Sequence, residues 1–62
     1  MTAPFLKPAI DAAAARAIND LFEVLIRGRA SGDAAALERF RAGVKATLGA
    51  RDDALKVAEE VG

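Results

Sequence analysis

Between Pro8 and Gly28 the chain carries an apolar arc that no single neighbouring helix can cover. Wound as a helix, Asn19, Glu23, Arg16, Arg27 and Asp20 gather within about 100° of the circumference. The remainder is almost wholly apolar, with Ile10, Ala14, Ala17, Ile18, Leu21, Phe22, Val24, Leu25 and Ile26 spread over roughly 200°, twice what one packing partner fills. Such a helix calls for neighbours on two sides. Phe22 and Ile26, at the edge of the arc, together with Ile18 and Leu25, are the expected oligomer interface.

Local propensity favours helix almost throughout, because 16 of the 62 residues are Ala and Ala is the best helix former. The breaks are few. Pro4 and Pro8 mark the start, Pro8 suiting a first helical turn. The run Arg27-Gly28-Arg29-Ala30-Ser31-Gly32-Asp33 holds two Gly with Ser and Asp, the strongest turn signal present. Asp33 or Ser31 is placed to cap the helix that follows. The sequence therefore predicts an all-α single domain over residues 1–62. Residues 1–7 form an N-terminal extension, with Phe5 and Leu6 expected to fold back as a staple, a first helix covers 8–28 and a second covers 33–61. Beyond Gly49 two readings stand: a long helix bent near Gly49, which is favoured, or a break at 49–51 that begins a short third helix.

On the second helix Leu37, Phe40, Val44 and Leu48 form a stripe at three- and four-residue spacing, which Leu55 continues although Arg51 interrupts it. A short connection makes the two helices antiparallel neighbours in a hairpin. The expected core is Ile10, Ala14, Ala17, Ile18, Leu21, Val24, Leu25, Leu37, Phe40, Val44, Leu48 and Leu55. That core is thin. Only 17 side chains are large (six Leu, four Val, three Ile, three Phe, one Met), and a chain of this length buries only about 60% of its unfolded surface. Two hairpins related by a two-fold axis would repair both deficits as a four-helix bundle. A monomeric three-helix bundle broken at Gly49 is the competing arrangement.

The residues available for chemistry are sparse. There is no Cys and no His, which removes disulfides and the conventional ligands of structural zinc, haem and iron–sulfur centres. Thr2, Ser31 and Thr47 are the only hydroxyls, with no imidazole or thiolate to activate them. Carboxylate pairs at Asp52-Asp53 and Glu59-Glu60 lack the Asp-x-Asp-x-Asp-Gly pattern of a calcium loop and read as a solvated face. Glu23→Arg27 and Asp52→Lys56 have the spacing of helical ion pairs. The expectation is no catalytic residue, no metal site and no cofactor.

No uncharged stretch approaches the ~20 residues of a membrane span, and Met1 to Pro8 lack a charged leader with an apolar core. A cytoplasmic setting is expected, without a membrane partner. The formal net charge is zero, but unevenly so. Residues 27–45 carry Arg27, Arg29, Arg39, Arg41 and Lys45 against Asp33 and Glu38, whereas residues 46–62 carry Arg51 and Lys56 against four carboxylates. These patterns point to a non-catalytic helical protein that self-associates, with a dimer favoured, and acts by binding another protein. The alternative is a nucleic-acid-binding hairpin dimer using that basic cluster, weakened by the absence of Trp and Tyr for base stacking.

Overall fold

The computed structural model describes residues 5–61, which form two antiparallel helices, α1 (Leu6–Ala30) and α2 (Ala36–Val61). Thr2 and Pro4 lie outside the described residues. The hairpin measures 51 × 15 × 7 Å across its Cα atoms. It is one helix thick, so each helix has a neighbour on one side only. Among the described residues Ala36, at 5% exposure, is the one buried residue.

Helix α1 starts at Leu6, ahead of Pro8, with Phe5 as its N-cap residue and no side-chain capping bond. Pro8 falls within the first turn, where its missing N–H has no intrahelical partner in any case, and the first bond runs from Ala9 N–H to Phe5 O. Phe5 stays largely exposed and does not staple the hairpin. The far end of α1 closes in a Schellman motif. Gly32, at φ +76, occupies the left-handed position that favours glycine. Gly32 N–H donates to Arg29 O (3.2 Å) and Asp33 N–H to Gly28 O (2.8 Å). Arg27 and Arg29 sit in this last turn, the favourable end of the helix dipole for positive charge.

Asp33 opens the path into α2. Its Oδ1 accepts from Ala35 N–H at 2.9 Å, and its Oδ2 pairs with Arg39. Ser31 instead serves α1, donating Oγ–H to Gly28 O at 3.1 Å. The Arg39 guanidinium, then the Ala35 N–H, hold the Asp33 carboxyl below its ordinary 3.8. A depressed pKa stabilises the folded form above the unfolded value, and that contribution disappears as pH falls through the folded value. Helix content is therefore expected to decline below about pH 4 partly through this one group. Asp33→Asn, which keeps an oxygen for the cap, should flatten that part of the profile in circular dichroism against pH. An identical acid limb in the variant would remove Asp33 from the account.

Helix α2 continues through Gly49 to Val61. Nothing lies within 4 Å of where a Gly49 side chain would begin, so this glycine answers no packing demand. Gly49→Ala is expected to stabilise the hairpin by about 1 kcal/mol, read as a raised urea midpoint; a lowered midpoint would contradict the open position.

The seam between the helices is made largely of small residues. A Cβ on Gly28 would lie 2.5 Å from the Ala36 Cβ, and one on Gly43 would lie 2.6 Å from Leu21 Cδ2. Ala14, Ala17, Thr47 and Ala54 continue the line on the two helices, and Thr47 returns its hydroxyl proton to Gly43 O at 2.8 Å. Near the open end Arg51 Nε donates to Asp11 Oδ1 at 2.7 Å, joining residues 40 apart. This pair explains why an arginine interrupts the α2 stripe. Both partners remain partly solvated, so their contribution is register more than stability.

The expected core is corrected at three positions. Val24, Leu37 and Leu48 are exposed, Leu37 at 55% and Leu48 at 45%, while Ile10, Ala14, Ala17, Ile18, Leu21, Leu25, Phe40, Val44 and Leu55 are half-buried. The physical reason is the close approach at Gly28, Ala36 and Gly43. Two helices meeting along their smallest residues leave the larger ones at the sides. Among the described residues neither Glu23–Arg27 nor Asp52–Lys56 forms an ion pair; Glu38–Arg41 and Arg51–Asp52 do.

Candidate interaction surface

The two sides of the hairpin differ in chemistry. Taking the seam as reference and turning about 100° per residue, Ile18, Phe22 and Ile26 of α1 and Leu37, Val44, Leu48 and Leu55 of α2 fall on the same side. The ring of Phe22 meets that of Phe40 edge to face, with centroids 6.3 Å apart and planes at 66°, a favoured aromatic geometry. Phe22 is nonetheless 51% exposed and Ile26 52%. Leu25 is half-buried beside them.

The opposite side is a shallow trough. One stretch of about 330 Å³ is lined by Ala13, Ala17, Ala50 and Ala54 among others. A second, of about 380 Å³, adds Asp20, Val24 and Gly43. Ile10, Leu21 and Val24 also line it, but of these three Val24 alone is largely exposed. Phe22, Ile26, Leu37 and Leu48 stand exposed together on the other, large-residue side.

The four residues anticipated from the α1 arc, Ile18, Phe22, Leu25 and Ile26, thus lie together toward one side. Leu37, Val44, Leu48 and Leu55 complete that surface, although their stripe reads from sequence as facing α1. The phase of Gly43 and Thr47 relative to that stripe was the available signal, since small residues mark where helices touch. The basic cluster is not gathered in the same way. By helical phase Arg29 and Arg41 flank the apolar side, Arg27 and Arg39 flank the trough, and Lys45 points away from the seam. Arg39 is engaged by Asp33 and Arg41 by Glu38.

Both described hydroxyls, Ser31 and Thr47, donate to backbone carbonyls. Among the described residues no group of three or more carboxylates is placed to hold a metal ion, and no buried side-chain polar atom lacks a partner. No described helix is long and apolar enough to cross a membrane. Comparison with protein-family models, curated proteins and solved structures gives no match.

Proposed function

We propose that this chain is a non-catalytic helical interaction protein of the cytoplasm, which self-associates through the side bearing Phe22, Ile26, Leu37 and Leu48 and acts by binding another protein. The observation that carries the proposal is surface area. A folded monomer of 6.4 kDa is expected to expose about 3,800 Å², whereas the hairpin exposes 4674 Å². The excess of roughly 900 Å² is close to the ~800 Å² that each partner contributes to a standard interface. Phe22, Ile26, Leu37 and Leu48, four of the eight exposed large hydrophobic residues, lie together where that area would be covered, and a four-helix bundle is the form such burial takes.

Native mass spectrometry tests the assignment. The wild type is expected as a dimer at micromolar concentration, and Phe22→Asp or Ile26→Asp should shift it toward the monomer mass. Wild-type monomer at that concentration would overturn the proposal. A nucleic-acid role for Arg27, Arg29, Arg39, Arg41 and Lys45 is the weaker reading, because two of the five are already paired and the set is divided between sides.

A further inference from the structure

Two hairpins can be laid face to face in two ways that preserve a two-fold axis. In one, turn lies over turn and α1 of each copy rests on α2 of the other. In the other, turn lies over open end, α1 rests on α1 and α2 on α2. The side rows of the two helices distinguish these arrangements.

On α2 the row flanking the apolar side is Leu37, Arg41, Val44, Leu48, Asp52 and Leu55. Reversed about Ala46, it reads onto itself. Leu37 falls opposite Leu55, Val44 opposite Leu48, and Arg41 within one residue of Asp52. On α1 the row is Asp11, Ala15, Ile18, Phe22, Ile26 and Arg29. Reversed about Asp20, Asp11 falls opposite Arg29 and Ile18 opposite Phe22. Two independent rows are therefore self-complementary in the antiparallel sense.

Their centres also coincide. Gly28 stands across from Ala36, Leu21 from Gly43 and Asp11 from Arg51, which puts Asp20 level with residues 43–44. That is two or three residues from Ala46, or about 4 Å at ~1.5 Å per residue, so one axis serves both helices. Turn-over-turn docking separates Arg29 from Asp11 and Arg41 from Asp52. It sets the Asp11 end beside Asp52, like charge near like, and leaves Arg29 about six residues, or ~9 Å, from Arg41. Among the described residues Arg29 has no ion-pair partner. Asp11 and Arg41 each hold one partner and retain acceptor or donor capacity for another.

We propose that the occupant of the apolar side is a second copy of this chain docked antiparallel, the flanking Arg29–Asp11 and Arg41–Asp52 charges selecting that orientation over the parallel one. The proposal rests on the self-association proposed above and adds its geometry.

The chain has no cysteine, so introduced thiols report the orientation directly. Leu37→Cys and Leu55→Cys proteins are made separately, mixed in equal amounts and oxidised mildly, with sedimentation run on the reduced mixture. The antiparallel dimer brings the two positions within disulfide reach, and the mixed disulfide should exceed its statistical half-share. Disulfides of Leu37→Cys with itself, or no cross-link in a mixture that sediments as dimer, would overturn the orientation while leaving self-association intact. A mixture that sediments as monomer, confirmed on wild type, would overturn self-association itself. As a second measurement, Arg29→Asp is expected to weaken the antiparallel dimer roughly tenfold at low salt, with the effect shrinking as salt rises. Tightening by the same variant would indicate parallel docking.

Discussion

Gly28→Val is expected to destabilise the hairpin more than any other single change in the seam, by about 1–3 kcal/mol or more. A Cβ at this position would lie 2.5 Å from the Ala36 Cβ and 3.8 Å from its Cα. Neither group can swing away, since each Cβ is bonded to its own backbone and Ala36 is buried. Relief would require the helices to part beside the turn. Gly28 O also receives Asp33 N–H and Ser31 Oγ–H, so the shift would strain the Schellman closure as well. Gly28→Ala should therefore destabilise despite alanine's propensity advantage of about 1 kcal/mol. Gly43→Ala should be milder, because its clash is with the δ methyl groups of Leu21, which can change rotamer. Urea midpoints of the three variants check this order. A Gly28→Ala protein as stable as wild type would mean that the helices do not meet so closely.

Leu48→Asp is expected to abolish self-association at micromolar concentration, whereas Val57→Asp leaves it unchanged. In a single hairpin the two residues look alike, 45% and 54% exposed, and an isolated monomer would tolerate either within about 0.5 kcal/mol. The difference lies in which side they occupy. Leu48 stands on the large-residue side near the proposed axis, while Val57 shares the phase of Ala50 on the trough side. Burying a leucine side chain is worth about 1.5–3 kcal/mol, and a two-fold axis counts each substitution twice. The dissociation constant should rise by about 10²–10⁴. Because folding and association are linked in such a dimer, wild-type melting should depend on protein concentration and that of Leu48→Asp should not. Equal effects of the two substitutions would sink the assignment of the side.

Much of the hairpin is legible in residue order because its determinants are local. The Gly28–Asp33 run announces the turn, Asp33 accepts the N–H of Ala35 as a capping residue should, and the wide arc of α1 announces an unfilled side. What is not legible is pairwise. Leu37 and Leu48 read as core because apolar spacing alone cannot say which stripe meets the neighbour. That choice is made by Gly28 against Ala36 and Gly43 against Leu21, where small residues let backbones approach. Arg51 reads as an interruption until Asp11, 40 residues away, stands beside it. Gly49 reads as a bend in one long helix, with a break as the alternative, because glycine lowers propensity; α2 runs through it to Val61. The start at Leu6 is hidden because Pro8 is tolerated anywhere in a first turn.

Every interhelical contact in this hairpin joins residues whose separation along the chain grows steadily with distance from the turn. Gly28 and Ala36 are near neighbours in sequence, Leu21 and Gly43 are farther apart, and Asp11 and Arg51 are the most distant of the three pairs. Loop-closure entropy rises with that separation, so closing contacts outward from the turn, as a zipper, is the least costly order of assembly. On that order the Schellman turn is expected to form first, the alanine and glycine seam next, and the Asp11–Arg51 clasp last. The same gradient makes the open end the expected first place to fray.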